Sequence, residues 1–172
     1  MEENQPKTGK FSLNYGLILG ALGVAFGIML YTMDAHYTQE ISNTIIGITM
    51  MVAVIVWGIF SYKKANGGFL TLSEALKLGA GIALVAAIIG VIYSLILSNF
   101  IDPDFAQKTI DYRMAEVEAS GELSAEAIQQ QKEMSLKFFW MGYPFYLIIN
   151  IILGLIIALV TGLFMKKQKP AY

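Results

Sequence analysis

The sequence predicts an all-α polytopic membrane protein with four transmembrane helices and an extramembrane helical hairpin between spans three and four. Three observations carry that reading. Four stretches, 11–33, 41–62, 78–101 and 138–165, contain no charged residue. Each is long enough to cross a hydrocarbon core of ~30 Å, which takes about 20 helical residues. Finally, only 15% of the 172 residues are charged and 56% are hydrophobic, against about 25% charged in a soluble domain. Hydrocarbon offers no partner to an open backbone group, so helices are the natural spanning element.

The first span carries Gly16, Gly20, Gly23 and Gly27. This small-xxx-small spacing lets a neighbouring helix approach closely. Leucine at Gly20 or Gly23 is therefore expected to break the bundle. The run is longer than the apolar region of a signal peptide and lacks a small-residue cleavage pattern, so it reads as a retained helix. The following loop holds His36, the only histidine. With no second histidine it is a weak sign of metal and reads as an ordinary loop residue. Span two has Thr49 in depth and Trp57 and Tyr62 near its end, where interfacial aromatics sit.

Asn66-Gly67-Gly68 is a turn signal, because glycine tolerates positive φ. Thr71 and Glu74 have capping-box spacing, so the third helix should start near Leu72. The paired glycines lack the Lys and Ser/Thr of a phosphate-binding loop. Span three repeats small residues at Ala83, Ala86, Ala87 and Gly90, with Ser94 as a lesser polar group. Segment 102–137 is too long for a bare loop. Asp102 with Pro103 is a helix start, Gly121 a stop, and Ser124 a second cap, which predicts helices over 103–120 and 125–137. Ile110, Met114 and Val117 recur at helical spacing and should face the bundle, the headgroups or a partner. The acidic residues Asp102, Asp104, Asp111, Glu116, Glu118, Glu122, Glu126 and Glu133 read mainly as a solvated face. In span four, Trp140 to Tyr143 forms an interfacial lead-in, Pro144 predicts a kink, and Gly154, Ala158 and Gly162 form another small stripe. Asn150 is the strongest polar group in depth, and an interhelical hydrogen bond is its expected role, with the lining of a small cavity as the alternative. The glycine stripes suit either a tight intramolecular bundle or a homo-oligomer.

Charge sets the expected orientation. The two tails and the segment between spans two and three hold 8 of the 12 basic residues, and the other two segments hold 10 of the 13 acidic ones. Basic segments stay cytosolic, so both termini are expected inside and 102–137 outside. The absence of Cys excludes disulfides and thiolate chemistry. A net charge of -1 with no basic stripe speaks against nucleic acid as a partner. No ionisable residue lies near the middle of a span, where proton and ion pathways place them. No catalytic, cofactor-binding or metal-ligating residue can be nominated, so the chain does not read as an enzyme and no cofactor is implied.

The runs Asn66-Gly67-Gly68-Phe69-Leu70-Thr71-Leu72-Ser73-Glu74-Ala75 and Ile101-Asp102-Pro103-Asp104-Phe105, placed after spans two and three, are similar to an uncharacterised family of small Bacteroidota membrane proteins. It is number 4199 in the series of domains of unknown function. The glycine-rich first span and the long polar segment match as well, so the resemblance covers nearly the whole chain. It implies a four-helix inner-membrane protein of a diderm bacterium with residues 102–137 in the periplasm, and no activity. The expectation is one membrane domain over 1–172 with a polar insertion at 102–137. Its expected role is structural or accessory, with the lipid bilayer and a membrane-protein partner or second copy as partners. The alternative is a small-solute transporter or channel subunit.

Overall fold

The computed structural model describes residues 6–38, 40–121 and 123–168. Lys169 and Glu122, and the side chain of Glu116, which figured in the charge pattern, lie outside that description. Four long apolar helices form the spans: α1 (Thr8–Thr32), α2 (Ile41–Ala65), α3 (Leu72–Ile96) and α6 (Gly142–Met165). Two shorter, polar helices, α4 (Phe105–Ser120) and α5 (Ala125–Lys137), form a hairpin between α3 and α6. An even number of spans puts both ends of the chain on one side, the terminus end, together with the α2–α3 turn. The α4–α5 hairpin occupies the opposite, cap end.

Local chemistry starts and stops these helices. At Thr71 the side chain accepts from Glu74 N and the Glu74 carboxylate accepts from Thr71 N, at 3.2 and 2.8 Å, so the capping box forms and α3 starts at Leu72. The same carboxylate accepts the hydroxyl of buried Tyr62 at 2.7 Å, joining α2 to α3. Tyr62 is thus a packed residue of the core rather than an interfacial aromatic. Gly67 and Gly68 take φ of 67° and 86° in the turn before it. Leu70 and Lys167 then exchange backbone hydrogen bonds, each 2.9 Å, and tie that turn to the chain after α6. Gly121 ends α4 with φ 68°, and Ser124 caps α5 through Ala127 N.

One expected start is corrected. The first hairpin helix begins at Phe105, behind Asp104, and Asp102 does not cap it. Leu97–Ile101 continues α3 as a π-helical turn, closed by Asp102 N donating to Leu97 O at 2.7 Å. The Asp102 carboxylate instead receives His36 and the side chain of Lys108. At Pro144, where the sequence predicts a local kink, α6 is assigned without interruption. A 3-10 turn at Phe139–Met141 precedes α6, which begins at Gly142. Pro144 therefore sits in the first helical turn, where its missing N–H deprives the helix of nothing.

Apolar surface gains little by leaving lipid for protein, so close packing decides how spans associate. Small residues provide it. A Cβ at Gly79 would meet Ala158 and the Gly154 carbonyl oxygen, and one at Gly154 would meet Ala83 Cβ and the Gly79 carbonyl oxygen, both at 2.6 Å. A Cβ at Gly162 would meet that of Ala75 at 2.8 Å. The stripes of α3 and α6 thus mesh backbone to backbone. On α1, Gly16 receives Val85, Gly20 receives Ile89 and Gly27 receives Tyr93. The helices α1, α3 and α6 form a layer with α3 in the middle, and α2 lies across it.

The core occupies only part of the bundle's length. Its buried residues are Ser12 to Gly20 of α1, Met51 to Tyr62 of α2, Ala75 to Ala87 of α3 and Gly154 to Gly162 of α6. All belong to the terminus-end portion of their helices. Ile55, Ile59, Leu78 and Ile82 there have no exposed surface. Toward the cap end α1 and α3 still touch at Gly27 and Tyr93, and α3 and α6 at Gly90 and Tyr146, while a space opens among the four helices.

Candidate functional site: a cavity beneath the cap

The space among the helices at the cap end is a cavity of about 930 Å³. Each span lines it with the continuation of the stripe that packs the core lower down. On α2 the stripe Thr44, Gly47, Ile48 and Met51 faces the cavity, and on α6 Tyr146, Ile149, Asn150 and Leu153 do so. Gly23 of α1 and Gly47 both line it, and neither has an atom within 4 Å of where a Cβ would be. The expectation that Gly23 packs against a neighbouring helix is therefore wrong, while that for Gly20 stands. Both glycines lie on 3–4 spacings, yet Gly20 meets Ile89 of α3 and Gly23 meets open space.

The cavity is deep. It runs along α6 from Gly142 to Leu153, about 16 Å at 1.5 Å per residue. That is close to one leaflet of a ~30 Å hydrocarbon core. Below Leu19, Met51 and Leu153 lies the closed core. Several wall residues also carry exposed surface, including Ile48, Tyr146 and Ile149, so the walls are continuous with the lipid-facing flank.

The roof is built around the loop after α1. Asp34 takes φ 53°, a left-handed value that aspartate tolerates better than most residues. The turn folds His36 back over the bundle, where its side chain is only 5% exposed. Tyr31, Tyr37 and Phe105 surround the ring, with Phe105 stacked on it at 5.7 Å. Nε2 lies 3.1 Å from Asp102 Oδ2, and Lys108 Nζ reaches Asp102 Oδ1 at 2.9 Å. The cation beside Asp102 holds its carboxyl below the usual carboxylate range, helped by the hydrogen bond from His36 and opposed by burial. An ionised carboxylate only accepts, so Nε2 is the donor to Asp102. His36, read from sequence as an ordinary loop residue, pins the α1–α2 loop to the end of α3. No sequence signal connects it to Asp102, 66 positions away.

Among the described residues, two polar atoms at the roof, His36 Nδ1 and Thr109 Oγ1, are fully buried and have no partner. Both residues line the cavity, as does Arg113. Ile110 beside them is buried, whereas Met114 and Val117 are half-buried. Among the described residues Asn150 makes no interhelical bond. Its amide donates to Tyr146 O at 2.8 Å within α6, and the residue lines the cavity, the second of its two expected roles. Thr49 likewise bonds Ile45 O within α2, and Ser94 lines the cavity. Of the acidic residues, Asp111 pairs with Lys132 of α5 at 2.9 Å and clasps the hairpin. Hydrogen bonds from Gln107 and Lys132 hold its carboxyl below the usual range. Among the described residues no three His, Cys, Asp or Glu side chains stand together as metal ligands would.

Residues 14–167 match the profile of the family described as protein of unknown function (DUF4199). The chain belongs to that family. No curated protein and no solved structure matches it. The turn around Gly67, the capped start of α3 and the Asp102 turn all lie in the matched DUF4199 region, and so does every described residue that forms the cavity.

Proposed function

We propose that this DUF4199 protein is an accessory, non-enzymatic membrane protein that binds a membrane-resident partner through the cavity and roof at its cap end. The carrying observation is the shape of the interior. A roomy, mostly apolar space with a few polar groups is what binding sites look like, and this one ends on a dry core. A conduit for small solutes needs a path past that core, and Ile55, Ile59, Leu78 and Ile82 fill it. The transporter reading is therefore the less supported one. In the same proposal the protein is an inner-membrane protein with cytoplasmic termini and a periplasmic cap, on the strength of its charge distribution.

The test is affinity capture from native membranes in mild detergent, comparing wild type with a Gly23→Leu, Gly47→Leu double variant that fills the cavity. Loss of co-purifying species from a folded variant supports the reading. Unchanged capture, or solute flux through wild-type proteoliposomes, contradicts it.

A further inference from the structure

We infer that the terminus end of the bundle is a docking face for anionic phospholipid headgroups, gathered at the lysines around the α2–α3 turn. The inference concerns the end of the molecule opposite the cavity and does not depend on the role proposed for that cavity.

Charge at that end is one-sided. α1 starts between Lys7 and Lys10, and α2 ends on Lys63 and Lys64. Lys77 stands in the second turn of α3, and Lys166 and Lys167 follow α6. Against these seven lysines the described residues place a single carboxylate, Glu74. Its oxygens already accept from Tyr62 and Thr71. All three ion pairs among the described residues lie at the cap end, so none of the seven lysines is in one. Two spans start here and two end here, so their opposed dipoles cancel and the side chains set the field.

The fold also concentrates this charge. Orientation in a membrane asks only for a count of basic residues on one side, whereas here backbone bonds tie distant lysines to one turn. Gly68 N donates to Lys63 O at 2.9 Å, and Leu70 and Lys167 exchange two bonds of 2.9 Å. Two segments far apart in sequence thus bring Lys63, Lys64, Lys166 and Lys167 to the same turn. Lys167 Nζ lies 5.7 Å from the centre of the Phe69 ring within it. Lys64, Lys166 and Lys167 are exposed and Lys63 is half-buried. Each stands where an apolar span ends, which is the level of the lipid phosphates. A basic cluster beside a span attracts anionic lipid through exactly this placement, and lipid is the anion source that surrounds the turn on its membrane side.

The protein carries a fluorescent reporter at each end. Trp57 is exposed and lies seven residues before Lys64, on the same face of α2. Trp140 is exposed at the cap end. The full chain is reconstituted in phosphatidylcholine bilayers that contain either phosphatidylglycerol or phosphatidylcholine brominated on its acyl chains. Quenching is read in Trp140→Phe, which keeps Trp57, and in Trp57→Phe, which keeps Trp140. At low salt, phosphatidylglycerol should occupy the lipid sites beside Trp57 with about fivefold higher affinity than phosphatidylcholine. That preference should shrink in about 1 M salt, where charges are screened within about 3 Å, and Trp140 should show none. Replacing the four lysines at the turn by Gln should abolish the preference at Trp57, and replacing them by Arg should keep it. An unchanged helical circular dichroism signal separates this loss from unfolding, and should the Gln variant unfold, the salt titration of the lysine-intact protein decides alone. Equal quenching of Trp57 by the two lipids overturns the inference. So does a preference that is the same at both indoles, that ignores salt, or that survives in a folded Gln variant. Equal quenching together with loss of an acidic protein from the native capture of the Gln variant would give the face to a protein partner instead.

Discussion

Asp102 holds the roof together through two bonds of different kinds, one to the lysine of its own hairpin and one to a histidine brought in by a distant loop. Its depressed carboxyl gives the sign of a pH effect. A carboxylate with a folded value below its unfolded one contributes stability above about pH 4, and that contribution is lost as the pH falls through the folded value. Asp111 is depressed as well and adds to the same trend. Hydrogen-exchange protection in 31–38 and 105–113, relative to the intrinsic rate at each pH, is therefore expected to fall as the pH drops below about 4. Asp102→Asn should exchange faster at neutral pH and show a weaker acid dependence. A variant indistinguishable from wild type at neutral pH would remove Asp102 from the roof. None of this was legible in the sequence. Asp102 beside Pro103 has the look of a helix cap, and its true partners are set by a π-helical turn and a loop that only the folded chain brings near. His36 was misread for the same reason.

At the level of elements, the starts governed by neighbouring side chains were legible, and those governed by tertiary contacts were not. Thr71 and Glu74 are three apart and cap α3 whatever surrounds them, and Ser124 does the same for α5. Glu74 also bonds Tyr62 of α2, a link that spacing alone does not reveal. Glu74→Ala should lose both the box and the Tyr62 acceptor. A cap is worth about 1 kcal/mol and a buried hydroxyl left alone costs about 1–3 kcal/mol, so a loss of about 2–3 kcal/mol is expected in reversible unfolding. Adding Tyr62→Phe should restore about 1 kcal/mol, because the stranded hydroxyl is gone. A double variant no more stable than Glu74→Ala would show that the pair is not coupled. The glycine stripes were legible as a class but not one by one, since 3–4 spacing places Gly20 and Gly23 on nearly the same side of α1 while only Gly20 meets a neighbour.

For the whole molecule, four spans and a hairpin follow from where the charges stop and the turn residues fall, and the cavity does not. It opens among helices that still touch pairwise at Gly27 and Tyr93 and at Gly90 and Tyr146, a property of how the folded helices are placed. The closed core does not involve the cap. Replacing 106–134 by a short Gly/Ser linker should therefore leave the four spans folded, with a modest drop in melting temperature, and empty the native capture. Collapse of the helical signal in that variant would make the hairpin a structural strut instead.

The asymmetry between the two ends is tested most directly by the melting temperatures of four single leucine variants in one detergent. Gly79→Leu and Gly154→Leu place a side chain against a facing carbonyl and should lose roughly 1–3 kcal/mol or more through overpacking. Gly23→Leu and Gly47→Leu project into the cavity and should melt at or above wild type, since replacing a mid-helix glycine gains up to ~1 kcal/mol. Four variants destabilised alike would mean that the helices are packed along their whole length, and the cavity, with every function assigned to it, would be contradicted.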